Sequence, residues 1–150
     1  MVYKIQKIDE NYYRKEDLES IFDDKYRQSF YLLYWDGIKK YKFSTYNMFS
    51  PEIKKITSHI YLLGINQCIV LFFDEKILDR WTSLTNFMFS ITKNKHICIV
   101  CELEIFIYCI SSNKIIKNLL FENIIKDVSL DQGSIRVSFL FSDDEELFLL

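Results

Sequence analysis

The sequence predicts a mainly antiparallel β protein, α+β with one or two short helices, built as a β-sandwich or a twisted meander. Three observations carry that prediction. Aromatics make up 17% of the chain, with 13 Phe and 10 Tyr beside many Ile, and such side chains pack well on a pleated surface. The two residues Asp36-Gly37 sit between apolar runs, the strongest short hairpin signal in the chain. From His59 onward a strand–turn–strand pattern recurs about every 30–35 residues, a period near that of a propeller blade. Two and a half such units are too few to close a propeller, which leaves a sandwich or meander.

Taken in order, residues 3–8 alternate polar and apolar and read as a first strand. Residues 14–22 place Leu18, Ile21 and Phe22 at helical spacing among charges, predicting a short surface helix ended by Asp23-Asp24-Lys25. Residues 29–35 form an apolar strand, Asp36-Gly37 turns, and 38–43 return. Positive φ at both central positions of that turn explains the glycine. Ser50-Pro51 is a helix-start signal, because Ser accepts from orphan amides and Pro fits the first helical position. A helix of one or two turns to about Thr57 is expected there.

The rest reads as strands. They are expected at 60–63, 67–73, 77–81, 87–91, 97–101, 104–110, 114–119, 124–130, 134–141 and 147–150. Turns fall at 74–76, Lys93-Asn94, 111–113, 131–133 and 143–145. Ile97-Cys98-Ile99-Val100-Cys101 is apolar at every position, which predicts a central strand covered on both faces. No Gly/Ser linker or low-complexity segment interrupts the chain, so residues 1–150 are expected to form one domain.

Composition narrows function mostly by exclusion. Formal net charge is −2 and the 19 basic residues are scattered, so the basic stripe of a nucleic-acid binder is missing. The absence of Ala, and the abundance of Ile, Lys, Asn, Phe and Tyr, follow from AT-rich codon usage and carry no mechanism. The N-terminal residues alternate rather than forming an apolar run, and the longest apolar stretch, 68–73, is too short to span a bilayer. A cytoplasmic protein without membrane partners is expected.

Cys68, Cys98, Cys101 and Cys109 lie in apolar runs and read as buried free thiols. Cys98 and Cys101 form a C-x-x-C. On a strand that separation puts the side chains on opposite faces, and no second ligand pair exists, so neither metal nor other cofactor is expected. Only two histidines, His59 and His96, are present, each at a strand edge. No nucleophile elbow, phosphate loop or zinc-protease motif occurs. Three glycines leave little for a phosphate-cradling loop. The chain is expected not to be an enzyme.

What remains is surface. Glu102 and Glu104 interrupt an apolar run at a separation of two, which puts both on one strand face. Glu16, Asp17, Glu19, Asp23 and Asp24 cluster in and after the first helix, with Tyr26 beside them. Asp143, Asp144, Glu145 and Glu146 crowd the last turn. Such carboxylates complement a basic cleft and raise on-rates, and tyrosines, of which Tyr12, Tyr13, Tyr41 and Tyr46 are further examples, anchor interfaces. These acidic residues and Tyr26 are the expected partner-binding set.

The run Ile97-Cys98-Ile99-Val100-Cys101-Glu102-Leu103-Glu104-Ile105, followed by Ile115-Ile116 and Asn123-Ile124-Ile125-Lys126-Asp127, resembles a pattern of small bacterial proteins in which an apolar strand ends in Cys-Glu. In size and character the chain is similar to immunity proteins of contact-dependent growth inhibition systems. The resemblance covers roughly residues 60–150 and departs at Asn123, where the pattern has Asp. It implies a cytoplasmic toxin inhibitor that binds a cognate toxin domain, often a nuclease, and occludes its active site; it assigns no binding residue. Two other readings stand beside it: a small enzyme using Glu102, Glu104 and His96, and a structural subunit of a larger assembly.

Overall fold

The computed structural model describes residues 2–46 and 50–150. Among them it has fifteen strands and one short helix, arranged in four sheets. The chain divides into two compact units, residues 1–80 and 81–150.

The first unit opens with β1 (Tyr3–Ile8), α1 (Glu10–Lys15), β2 (Glu19–Asp23), β3 (Ser29–Trp35) and β4 (Ile38–Thr45), in the sheet order β1-β3-β4-β2. Its β3–β4 hairpin turns on Asp36 and Gly37 at φ 48° and 78°, as the sequence predicts. β2 runs parallel to β4, the exception to an otherwise antiparallel pattern. A second sheet follows, β5 (Ile53–Lys55), β6 (Ile60–Ile65), β7 (Cys68–Phe73) and β8 (Lys76–Thr82), in chain order. Tyr31, Leu33, Trp35 and Phe43 of the first sheet share one core with Tyr61, Leu63, Val70 and Phe72 of the second. Tyr3 closes that core, its ring 4.8 Å from both Trp35 and Phe72.

The second unit repeats the plan. β9 (Phe87–Lys93), β10 (His96–Cys101), β11 (Glu104–Cys109) and β12 (Lys114–Leu120) form a four-stranded meander. β13 (Ile125–Asp131), β14 (Ser134–Phe139) and β15 (Glu145–Leu149) form a three-stranded one. Cys98, Val100, Ile105 and Ile107 pack against Val128, Ile135, Val137 and Phe139. Every residue of Ile97 to Cys101 is fully buried, as its unbroken apolar run requires.

A chain with three glycines still needs left-handed turn positions. It meets most of them with Asn or Asp, whose short polar side chains tolerate that conformation: Asn66, Asp74, Asn94 and Asn113 all have φ between 50° and 56°.

Two predicted helices are corrected. The helix expected at 14–22 is instead Glu10–Lys15, started by Asp9, whose carboxylate accepts from the Tyr12 amide at 2.7 Å. Leu18 to Phe22 leave the helix because Ile21 finds a buried place beside β4 only as part of an extended strand. The helix expected from Ser50-Pro51 is strand β5. A short helix there would have only local bonds to set against its nucleation cost, whereas pairing Ile53 with Leu63 extends an existing ladder.

Candidate protein-binding surface

The predicted partner-binding residues separate into three environments. Those of the first unit are largely engaged within it. Glu16 pairs with Lys39, which holds its carboxyl below the ordinary range. Glu19 lies 3.6 Å from Arg80. Asp24 accepts from the Tyr26 amide at 2.9 Å. Asp23 accepts hydroxyl donors from Ser20 at 2.8 Å, Ser44 at 2.9 Å and Tyr13. Burial pushes its pKa up, but the three hydroxyls and nearby Arg27 outweigh it, and the net shift is downward. Tyr13 is raised in turn to about 12, first by burial and then by the Asp23 carboxylate. Asp17 and Tyr26 stand exposed, Asp17 without an ion pair among the described residues.

Glu104 has the opposite fate. It is the first residue of β11, 2% exposed, and accepts from the Leu84 amide at 2.8 Å and the Asn118 side-chain amide at 3.1 Å. Glu102 lies in the turn before that strand, so the two carboxylates do not share a strand face as expected. His96 starts β10, six residues before Glu102, roughly 20 Å away at about 3.3 Å per residue. Glu102, Glu104 and His96 therefore line no common cleft. His96 borders a different one, of about 290 Å³, with Lys93, Lys95 and Asp131.

Glu102 and the last acidic run come together at one end of the second unit. Backbone bonds hold three connections side by side there: Ile125 N to Glu102 O at 2.8 Å, Phe121 N to Leu103 O at 2.9 Å, and Leu140 N to Ile124 O at 2.9 Å. These segments expose large apolar side chains, Leu120 at 63%, Leu140 at 51% and Phe141 at 84%, with Ile124 beside them. Exposed large apolar side chains gathered at one end of a unit mark a candidate interaction surface. The same segments carry acidic residues. Glu122, Asp143, Asp144 and Glu146 are all exposed and none forms an ion pair among the described residues, while Glu145 alone reaches Arg136, at 3.4 Å. A cleft of about 170 Å³ opens in this end, lined by Leu120, Phe121, Glu122, Asn123, Phe139 and Glu146.

Leu120, Glu122, Ile124, Leu140 and Phe141 were not among the residues expected from the sequence. The signal was present in Phe139-Leu140-Phe141. Alternation puts Phe139 and Phe141 on one face if the strand continues, but β14 stops at Phe139, and Phe141 turns outward.

Cys98, Cys101 and Cys109 are buried as expected, whereas Cys68, first residue of β7, is half-buried. Burial raises Cys98 to about 12, and raises Cys101 and Cys68 to about 11. Cys109 differs, because the Ser111 and Ser112 hydroxyls beside it hold its thiol down to about 7. Among the described residues no group of three His, Cys, Asp or Glu is placed to hold a metal, and no helix is long and apolar enough to cross a membrane.

No protein-family model matches the chain, and the search of curated proteins returns no match. Among solved structures the chain is similar to the computationally designed Ika4 protein, at a TM-score of 0.56 and 8% identity over 91% of this chain and 92% of that one. It is also similar to the designed Ika8 protein, at 0.55 and 7% identity over 81% of this chain. Hsv2 of Kluyveromyces lactis superposes more loosely, at 0.42 and 14% identity over 67% of this chain. The chain spans 40% of Ika8 and 33% of Hsv2. At such identities the likeness to the two designed proteins is one of fold alone.

Proposed function

We propose that this protein works by binding another protein, and that the partner is a toxin domain, of nuclease type, which it neutralises as an immunity protein. The observation that carries the reading is the end of the second unit, where Leu120, Leu140 and Phe141 stand exposed on segments that carry Glu122, Asp143, Asp144 and Glu146, carboxylates with no ion pair among the described residues. Apolar side chains at the centre of such a contact supply most of the affinity once water is excluded. The surrounding carboxylates speed encounter with a basic surface and disfavour acidic competitors. A nuclease cleft must be basic to hold phosphates, so covering it needs an acidic plug rather than catalytic groups.

The test is co-expression with the toxin domain encoded beside the gene. A stable complex is expected, and Phe141→Ala should raise its Kd about 30-fold, the equivalent of about 2 kcal/mol. No complex with such a domain, or a complex indifferent to Phe141→Ala but lost with Tyr26→Ala, would overturn the reading.

A specific feature favours a second reading, that of a subunit. The last sheet has three strands where the others have four, and β15 is an edge strand with no further strand beside it among the described residues, with Leu147 and Leu149 exposed. Such an edge accepts a strand from another chain. A monomer by light scattering at high concentration would remove self-assembly from consideration.

A further inference from the structure

We infer that two copies of this chain associate through β15, paired antiparallel with Leu147 opposite its own copy. This rests on the subunit reading above and is independent of the toxin. The backbone of the strand sets the geometry. Leu150 N donates to Gly133 O at 2.8 Å, and the same register pairs Phe148 with Ile135 and Glu146 with Val137. Alternation makes these the hydrogen-bonded pairs, so the amides and carbonyls of Phe148 and Glu146 face β14. Those of Glu145, Leu147 and Leu149 face outward, to an edge with no further strand among the described residues. One outward group is capped, since Leu149 O accepts from Lys117 Nζ of β12. Side chains alternate too. Phe148 packs on the core with Glu146 on its side of the strand, and exposed Leu147 and Leu149 lie on the other.

An outward row of amides and carbonyls takes an extended strand, and the pattern of β15 selects its own copy. Outward residues must face outward residues, so Leu147 meets the partner's Leu147 and Leu149 meets the partner's Glu145. The four leucines then adjoin on one face, directly or diagonally, at cross-strand contact distance. On the other face the partner's Glu146 lies opposite Phe148, one residue from the carbonyl that Lys117 caps. Lys117 is half-buried on the core side of β12 with Leu119, and forms no ion pair among the described residues. When the partner's Glu145 amide takes Leu149 O, the Lys117 ammonium passes to the partner's Glu146 carboxylate. Two-fold symmetry gives both ends this contact. It also keeps like charges apart, because Glu145 and the partner's Glu145 lie four residues apart along the strand. That is roughly 13 Å at about 3.3 Å per residue, beyond the Debye length of ~8 Å. A parallel copy would set them side by side. Five residues a side compare with the ~20–30 of a standard interface, so the dimer is weak, with a Kd of about 100 µM.

Sedimentation equilibrium of the intact protein, from about 10 µM to about 1 mM, should show a monomer–dimer equilibrium. Leu147→Pro removes an outward amide and no bond within the unit, so the fold should survive while dimerisation weakens about tenfold or more. Leu147→Lys, a change at an exposed position of the edge, should do the same without touching the backbone. Lys117→Glu and Glu146→Lys should each weaken the dimer about tenfold, and the two together should restore it. Hydrogen exchange reads the edge residue by residue. The Leu147 amide should slow as concentration rises, whereas the Phe148 amide, already bonded to β14, should change little. A monomer throughout that range, a Leu147 amide unprotected in the dimer, or a charge exchange that fails to restore association would each overturn the inference. A dimer indifferent to both Leu147 variants would also overturn it, retaining the subunit reading and removing this edge. A monomer whose toxin complex is lost in Leu147→Lys would assign the edge to the toxin instead. The toxin reading stands or falls separately, on Phe141→Ala in the monomeric Leu147→Lys variant.

Discussion

Two acidic runs of similar composition, Glu16 to Asp24 in the first unit and Asp143 to Glu146 in the second, have been put to different uses. In the first, Glu16, Glu19, Asp23 and Asp24 each have a partner within the unit, and Asp17 forms no ion pair among the described residues. In the second, Glu145 alone forms an ion pair among the described residues. The difference comes from what the fold brings alongside. β4 carries Lys39, Lys42 and Ser44 past the first run, and α1 adds the Tyr13 hydroxyl. The last run instead straddles the start of β15, where Glu145 reaches Arg136 and no cation among the described residues pairs with Asp143, Asp144 or Glu146. A run of carboxylates is thus available for binding where its own unit leaves it unsatisfied.

Glu102 and Glu104 put the same contrast at its sharpest, inside one unit and two residues apart. Replacing Glu104 by Ala removes a 2%-exposed carboxylate and its bonds from the Leu84 amide and the Asn118 side chain. Hydrogen bonds to a charged acceptor contribute about 1.5–3 kcal/mol each, so a loss of about 3 kcal/mol is expected in urea unfolding. Glu104→Gln keeps an acceptor and should lose about half as much. Glu102→Ala should stay within about 0.5 kcal/mol of the parent. Equal losses at the two positions would break the division into structural and available carboxylates.

Asp23 tests the first run more gently. Asp23→Ala removes the acceptor of three hydroxyls, one of them on fully buried Ser44, and should cost about 1–2 kcal/mol, less than Glu104 because Asp23 remains part-exposed. Its folded pKa is depressed below an unfolded value of about 3.9. In the interval between the two values the unfolded chain binds the extra proton, so the contribution is fully present above that interval and disappears as pH falls through the folded value. The stability gap between the parent and Asp23→Asn should be constant from pH 7 to about 5 and shrink on further acidification. A gap that widens with acid would place Asp23 outside the hydroxyl cage.

How much of this was readable in the sequence depends on the range of the interaction. Hairpins were legible, because a turn such as Asp36-Gly37 and the alternation around it are local. The double burial of β10 was legible from an unbroken run, Ile97 to Cys101. The β identity of 53–55 and 19–23 was not, because each becomes a strand only by pairing with a neighbour, β6 or β4, that local propensity does not register. The burial of Glu104 is hidden for the same reason: its donors lie 20 and 14 residues away in sequence. The acidic rim of the candidate site was legible as charge, but its apolar centre was hidden. Leu140 and Phe141 read as a continuing strand, and only the stop of β14 at Phe139 turns them outward. The likeness to designed Ika4 at 8% identity fits this division, since sheet arrangement follows from patterning that many sequences share while site residues do not.

The smallest expected effects fall on the last acidic run, and their smallness is the point. Asp143→Asn and Asp144→Asn remove no ion pair within the unit and relieve repulsion among four adjacent carboxylates, so stability should move by no more than about 0.5 kcal/mol, with the sign toward stabilisation. Glu145→Gln loses one half-exposed pair with Arg136, of the kind that contributes about 0–1 kcal/mol. Phe141→Ser exchanges an 84% exposed ring for a hydroxyl and should leave unfolding unchanged while improving solubility at high concentration. The four variants can be ranked by thermal midpoint beside Asp23→Ala, which should fall well below all of them. A loss above 1 kcal/mol at Asp143 or Asp144 would mean that the last turn is held by its own carboxylates, as the first run is. The candidate surface would then be scaffolding, and the contrast between the two runs would vanish.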